Sequence, residues 1–118
     1  MAAEGYHEPY EQLTANTLDL HRAIRSLMEE FEAVDWYQQR VDACADEELR
    51  AILAHNRDEE KEHAAMVLEW IRRHDAALDT QLKKYLFTST SIAGGESSST
   101  VPAPPSIGSL RQSTKASK

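Results

Sequence analysis

The sequence predicts an all-α protein with two long antiparallel helices, a short C-terminal helix and a disordered C-terminal tail. Two stretches repeat apolar residues at alternating spacings of four and three, which is the periodicity of one helix face. A short acidic segment separates them, so the two helices are expected to fold back on each other. Two helices enclose little core in a chain of 118 residues. We therefore expect a second copy to complete a four-helix bundle.

The first helix is expected to run from Pro9, a residue tolerated at the first helical position, to about Cys44. Its main stripe consists of Leu13, Thr17, Leu20, Ile24, Leu27, Phe31, Val34, Gln38 and Val41. Most residues of a neighbouring stripe are small, which would let another helix approach closely: Ala23, Ser26, Glu30, Ala33 and Tyr37.

The second helix is expected to begin after the acidic segment 42–48, with Asp46 as its N-cap. Its stripe has the same spacing and should face the main stripe of the first helix: Leu49, Leu53, Asn56, Glu60, His63, Val67, Trp70 and His74. Residues 75–80 are predicted to be a break. A short third helix then follows, with apolar positions at Leu78, Leu82, Tyr85 and Leu86.

The middle of the second stripe is polar, because Asn56, Glu60 and His63 stand where Leu or Ile is expected. Burying a carboxylate and an imidazole without partners is costly, so a cation or a polar network is needed there. Glu60 and His63 are three residues apart, share one helix face and could ligate one metal ion. Two other interpretations stay open: a charged face in water, or a buried polar layer that fixes helix register.

The metal hypothesis gives this chain half of a two-metal site. Helical bundles with such sites use two Glu-x-x-His motifs and two further glutamates. The sequence has one motif, Glu60 to His63, and one well-placed glutamate, Glu30. Two copies around a twofold axis would bring together four carboxylates and two imidazoles. We therefore expect the metal to lie between two chains.

Charge and composition narrow the choice of partners. The formal net charge is −7, with about −9 on residues 1–86 and +2 on the remainder, which argues against nucleic acid and favours cations. No apolar run is long enough to cross a membrane. Cys44 is the single cysteine, and the first residues lack the pattern of a secretory signal. A cytoplasmic location is expected.

The composition changes after Phe87. Ser, Thr, Gly and Pro dominate residues 88–105, which predicts a flexible linker. In residues 106–118, Ile107 and Leu110 are the large apolar side chains of a polar segment, which is typical of a docking peptide. The predicted organisation is a helical domain at 1–87, a linker at 88–105, and a targeting peptide with its tail at 106–118.

Four runs of residues are distinctive: Glu4-Gly5-Tyr6-His7-Glu8-Pro9, Met28-Glu29-Glu30, Val34-Asp35-Trp36-Tyr37 and Ile52-Leu53-Ala54-His55-Asn56-Arg57-Asp58-Glu59-Glu60-Lys61-Glu62-His63-Ala64. Over residues 4 to about 87 the chain resembles the encapsulated ferritins. The resemblance implies a ferritin-like bundle completed by dimerisation around a di-iron centre, and further assembly into a ring of ten chains. It also implies a ferroxidase that oxidises Fe(II) to Fe(III) with dioxygen. Its catalytic iron ligands would be Glu30, Glu60 and His63, with Trp36 and Tyr37 lining the site.

Further residues flank these ligands and are expected to form secondary metal sites or an access route for iron: Glu29, Glu32, Trp36, His55, Glu59 and Glu62. Their carboxylates could also hold calcium. The alternative is an exposed helix surface with Arg57 and Lys61 as counter-charges.

Tyr37 is expected to hydrogen-bond the free nitrogen of His63 and so orient it. Its alternative role is packing between helices.

The tail run Ile107-Gly108-Ser109-Leu110-Arg111 resembles the cargo-loading peptide of encapsulin systems. The resemblance implies that these five residues bind an encapsulin shell, and that the protein feeds iron mineral storage in the lumen of that nanocompartment. The alternative for the tail is a random extension or a cloning remnant.

For the whole chain, the alternatives are a non-redox, metal-stabilised helical assembly protein recruited to a scaffold by its tail, and a helical dimer with a polar seam and no metal. Zinc or manganese could occupy the same ligands.

Overall fold

The computed structural model describes residues 5–94, and the regular elements in that range are all helical. A short 3-10 helix, Tyr10–Gln12, precedes three α-helices: α1 (Ala15–Ala43), α2 (Glu47–His74) and α3 (Ala76–Tyr85). The predicted fold class, two long helices followed by a short one, is confirmed. The chain divides into two compact units, with α1 and α2 in the first (Met1–Ala76) and nearly all of α3 in the second (Ala77–Lys118).

The first helix begins later than predicted. Pro9 precedes the 3-10 helix rather than α1, and Leu13 is extended, with φ −88° and ψ 137°. Thr14 is the N-cap of α1, and its Oγ1 accepts a hydrogen bond from the backbone N–H of Thr17 at 3.1 Å. A Thr side chain at this position satisfies an N–H that the helix itself leaves unpaired, and it favours a start here over one at Pro9.

The segment before α1 folds back onto it at His21. The rings of Tyr6 and His21 have centroids 4.6 Å apart. Gly5 has φ +91°, and a Cβ atom there would lie 2.9 Å from Cε1 of His21. Both the backbone conformation and the close approach therefore require glycine at this position.

The connection between α1 and α2 is short and internally bonded. Asp46 is the N-cap of α2, as predicted, and its carboxylate accepts a hydrogen bond from the N–H of Leu49 at 2.8 Å. The Arg50 guanidinium donates to the backbone oxygen of Cys44 from two nitrogens, at 3.0 and 2.6 Å. So short a connection makes the two helices antiparallel neighbours.

The predicted break at residues 75–80 is wrong in its length. Asp75 alone separates α2 from α3, which begins at Ala76. Ala76, Ala77 and Leu78 are strong helix formers, so the chain returns to helix at once. The third helix ends after Tyr85, where the Thr88 hydroxyl donates to the backbone oxygen of Tyr85 at 3.0 Å.

Side-chain contacts fix how α1 and α2 are aligned. Arg57 donates to Gln38 at 2.9 Å, and His63 lies 3.4 Å from Glu30, so positions later on α2 meet positions earlier on α1. The small-residue stripe of α1 is partly buried at all five positions. The main stripe is not, because Thr17, Ile24, Phe31 and Gln38 are exposed. The second helix packs closest to the small-residue stripe of α1, because small side chains allow a close approach. The expectation that the two main stripes face each other is therefore only half correct.

The hairpin has a thin interior. Among the described residues, Ala64 and Ile71 are the hydrophobic side chains classed as buried, each 3% exposed. Large apolar side chains on both long helices are about half exposed: Ile24, Met28, Phe31, Trp36, Leu49, Ile52 and Met66. Within residues 5–94, no helix combines the length and the apolar character that crossing a membrane requires.

Candidate metal centre

Three metal-ligating side chains converge midway along the hairpin. Glu30 lies on the small-residue stripe of α1, and Glu60 and His63 lie on successive turns of α2. One ligand atom from each residue can be chosen so that all three atoms lie within 4.8 Å of one another. The antiparallel alignment brings this about, because it sets the centre of α1 against the centre of α2.

The imidazole lies between the two carboxylates. Nδ1 of His63 is 3.3 Å from Oε1 of Glu60 and 3.4 Å from Oε1 of Glu30. The side chains of Glu30 and Glu60 are 24% and 23% exposed, whereas that of His63 is 44% exposed. The cluster is therefore sheltered on the helix-facing side and open on the other, which leaves room for a metal ion and further ligands.

The protonation behaviour of the cluster follows from crowding of like charges. A hydrogen bond with Glu60, together with partial burial and the charge of Glu60, raises the pKa of Glu30 above its ordinary value. For His63, loss of hydration acts to lower the pKa, but the hydrogen bond to Glu60 and the negative charges of Glu30 and Glu60 outweigh it, so the pKa is raised. Glu30 and His63 hold protons more tightly than isolated side chains do, and a cation would compete with those protons.

The donor set fits a first-row transition metal. Two carboxylates and one imidazole suit iron, manganese or zinc. Three ligands from one chain leave coordination positions open, as in catalytic rather than structural metal sites. Among residues 5–94, the group with metal-ligating geometry consists of Glu30, Glu60 and His63, the three that the sequence predicted.

The flanking residues occupy the exposed surface beside this cluster. Glu29, Glu32 and Trp36 lie on α1, and His55, Glu59 and Glu62 lie on α2. His55 Nε2 is 3.5 Å from Glu59 Oε2, which is an exposed pair one turn apart. No metal-ligating group in the described part of the chain includes these six residues. Their role as secondary sites or an access route stays a prediction.

Tyr37 is partly buried on the same stripe as Glu30, two turns further along α1. Its ring faces the guanidinium of Arg40, whose central carbon is 5.2 Å from the ring centroid. Within the described chain, the contacts of His63 Nδ1 are with Glu30 and Glu60. The hydrogen bond from Tyr37 to His63 stays a prediction.

The expected shell-binding residues Ile107, Gly108, Ser109, Leu110 and Arg111 lie outside the described residues.

Sequence reasoning missed the role of Arg57. The sequence suggested Arg57 as a local counter-charge only in the alternative of an exposed helix surface. Its Nε does donate to Asp58, but its Nη1 also reaches α1 and donates to Gln38. The available signal was Gln38 itself, a polar residue at a position of the main stripe where an apolar one is usual.

A helical hairpin that carries a carboxylate–imidazole cluster across its two long helices is ferritin-like in arrangement. The chain belongs to the EncFtn-like family, because the sequence model of that family matches residues 5–89.

Similar proteins agree with this assignment. An encapsulated ferritin-like protein of Rhodospirillum rubrum is 63% identical over 94 residues, covering 80% of this chain and 67% of the relative. A ferritin-like protein of Thermotoga maritima is 56% identical over 90 residues, covering 76% of this chain and 79% of the relative. An encapsulin nanocompartment cargo protein of Myxococcus xanthus is 37% identical over 86 residues, covering 72% of this chain and 66% of the relative.

A solved structure shows the same fold. The crystal structure of a protein from Nitrosomonas europaea matches with a TM-score of 0.74 and 68% sequence identity, and the match covers 76% of this chain and 99% of that one.

Proposed function

We propose that this protein is a ferroxidase that oxidises Fe(II) to Fe(III) with dioxygen at a di-iron site shared by two chains. The observation that carries the proposal is the half-open cluster of Glu30, Glu60 and His63 at the centre of an EncFtn-like hairpin. One chain supplies three ligands, and a twofold-related copy supplies the same three again. The completed site has four carboxylates and two imidazoles.

The apolar surface of the hairpin supports pairing. Side chains such as Ile24, Met28 and Phe31 are about half exposed, and the buried hydrophobic residues of the described chain are two in number. Association with further hairpins, in the dimer and in the larger assembly, would remove much of this apolar surface from water. We propose a dimer as the building block and a ring of ten chains as the larger assembly.

The chemistry of the ligands fits iron oxidation. Two Fe(II) ions would each give one electron to dioxygen, which reduces it to the peroxide level, and four Fe(II) ions would reduce it to water. Oxygen-rich ligands favour the harder Fe(III) ion that results. Glu30, Glu60 and His63 from each chain would together hold the two ions. Fe(II) would compete with protons for Glu30 and His63, because both bind through the same electron pairs.

The test uses purified full-length protein given Fe(II) in air. The wild type should develop ferric absorbance faster than buffer, and Glu60→Ala or His63→Ala should each remove the excess rate. Glu48→Gln, which removes a carboxylate from an exposed position of the same helix, should retain it.

The same experiment separates the ferroxidase from the non-redox alternative, a helical assembly protein that binds zinc or calcium structurally. If the wild type oxidises Fe(II) no faster than buffer, yet metal analysis finds a bound ion that Glu60→Ala loses, the site is structural.

The acidic flank supports a supply route for the substrate. Glu29, Glu32, Glu59 and Glu62 are exposed beside the ligands, and clustered negative charge raises the local concentration of cations. We propose that these residues, with Trp36 and His55, guide Fe(II) to the site, and that they can also hold calcium. Neutralising Glu29 and Glu32 together should lower the oxidation rate at limiting Fe(II) and leave it unchanged at saturating Fe(II).

The relatives support a location inside an encapsulin nanocompartment. One is named an encapsulated ferritin-like protein and another an encapsulin nanocompartment cargo protein. We propose that Ile107, Gly108, Ser109, Leu110 and Arg111 dock this chain to the inner wall of an encapsulin shell, in whose lumen the ferric product mineralises. Deleting residues 106–118 should abolish copurification with the shell and leave iron oxidation intact, whereas Gln112→Asp should change neither. Packaging that survives the deletion contradicts the docking assignment.

A further inference from the structure

A second polar contact joins α1 and α2 close to the metal ligands. Nη1 of Arg57 donates to Oε1 of Gln38 at 2.9 Å. Arg57 is one turn before Glu60 on α2, and Gln38 is two turns after Glu30 on α1. The contact therefore lies roughly 10 Å along the hairpin from the point where Glu30 meets His63.

This contact is held in place from both ends. The Arg57 side chain is 19% exposed, and its Nε donates to Oδ1 of Asp58 at 3.0 Å. On α1, Nε2 of Gln38 donates to Oδ1 of Asp42 at 3.0 Å, which fixes the orientation of the amide. A sheltered guanidinium with two fixed partners is a rigid link rather than a solvated surface charge.

The metal ligands create a need for such a link. When Glu30 and Glu60 are both ionised, two like charges face each other across the two helices and repel. The apolar contact that could resist this repulsion within one chain is small, since Ala64 and Ile71 are its buried hydrophobic residues in the described range. A polar bond between the same two helices, placed one turn from Glu60, resists separation and sliding where the ligands meet.

We propose that Arg57 and Gln38 form an interhelix clamp that positions Glu60 and His63 against Glu30 before metal binds. Both are positioning residues, because they act through the ligands. The clamp preorganises the site, so losing it should weaken metal binding without removing any ligand. This inference rests on the proposed metal site and adds two residues that lie outside the ligand set.

The test measures the dissociation constant for Co(II), a redox-stable probe, by its visible absorbance on the full-length chain. Arg57→Met and Gln38→Leu remove the two ends of the clamp and leave apolar stems in place. By analogy with residues that orient metal ligands, each should raise the dissociation constant about tenfold. The double variant should be no worse than either single one, because both changes break one bond.

Matched controls separate positioning from general stability. Arg50→Met removes another arginine of α2 that anchors the hairpin, through the backbone oxygen of Cys44 rather than beside the ligands. Gln39→Leu removes a neighbouring glutamine whose bond, to Asp35, stays within α1. Both should keep the wild-type dissociation constant. Arg57→Lys retains one donor and should recover part of the affinity that Arg57→Met loses.

The outcomes distinguish this inference from the proposed function. If the wild type binds Co(II) and His63→Ala does not, but Arg57→Met and Gln38→Leu bind as the wild type does, the metal site stands and the clamp is overturned. Equal losses in Arg50→Met and Arg57→Met also overturn it, because they assign the effect to hairpin stability. Failure of the wild type to bind Co(II), Fe(II) or Zn(II) contradicts the proposed function itself.

Discussion

At the scale of single residues, the candidate site concentrates two carboxylates around one imidazole. Glu30 and Glu60 lie close enough to raise the pKa of Glu30, and their negative charge raises the pKa of His63. In the absence of metal, a proton on the imidazole relieves the crowding. Under the proposed function, a metal ion would relieve it more fully, because its charge is larger and it would accept all three ligands at once.

The two raised pKa values predict opposite pH trends for metal-free and metal-bound protein. The contribution of His63 to the stability of metal-free protein is fully present below its ordinary pKa of 6.5 and is lost as pH rises through the folded-state value. Glu30 acts in the same direction from its ordinary value of 4.5. Metal binding instead strengthens as these protons leave. The gain in melting temperature on adding Co(II) should therefore increase from about pH 6 to about pH 8.

The control for this trend is His63→Gln, which removes the titrating ring from the cluster. For this variant, the gain in melting temperature on adding Co(II) should be smaller and should vary less with pH across the same interval. A wild-type gain that is constant with pH, or that falls, would contradict the proton competition.

At the scale of the helices, local chemistry decided which sequence predictions succeeded. Asp46 was correctly assigned as an N-cap, because a carboxylate just before a periodic stretch has one obvious partner, the N–H of Leu49. The start of α1 was wrongly predicted at Pro9, because the sequence makes both Pro9 and Thr14 acceptable starts. The extended backbone at Leu13 is what excludes a continuous helix from Pro9. The third helix begins earlier than predicted because Asp75 acts alone as the break.

The capping bond of Asp46 is open to a direct test. Asp46→Ala removes the acceptor for the N–H of Leu49 and should lower the stability of the hairpin by about 1 kcal/mol, measured by thermal unfolding of metal-free protein. Asp46→Asn keeps a side-chain oxygen and should stay close to the wild type. Equal destabilisation by both substitutions would show that charge, rather than the capping bond, is what matters at this position.

The candidate site was predictable because its ligands interrupt an otherwise regular pattern. Glu60 and His63 take apolar positions, and Glu30 takes a small-residue position, so the anomaly was visible in one sequence. The distances between ligands and the reach of Arg57 to Gln38 were not predictable. They depend on how far α1 and α2 slide along each other, which periodicity leaves undetermined.

At the scale of the whole molecule, the hairpin has apolar surface that residues 5–94 leave exposed. Ile24, Met28 and Phe31 follow one another at spacings of four and three, so they share one face of α1, and each is about half exposed. Met28 lies nearly opposite Glu30 around the helix. This face is therefore suited to a contact other than the one that we propose completes the metal site.

A charge placed on that face should limit assembly without destroying the metal site. Met28→Glu should reduce the largest species seen by size-exclusion chromatography with light scattering to dimers that still oxidise Fe(II). Gln39→Glu adds the same charge at an exposed polar position of α1 and should assemble as the wild type does. Full-size assembly by Met28→Glu would show that this face is not an interface.

The central claim is that one chain carries half a metal site and that pairing completes it. Native mass spectrometry of the full-length protein, titrated with Fe(II) without oxygen over a range of protein concentrations, tests it most directly. Dimers and larger even-numbered species should take up two Fe(II) ions per pair of chains, while monomers at high dilution should take up none at the same free Fe(II) concentration. Monomers that bind one Fe(II) ion as tightly as the assembled chains do would contradict the claim.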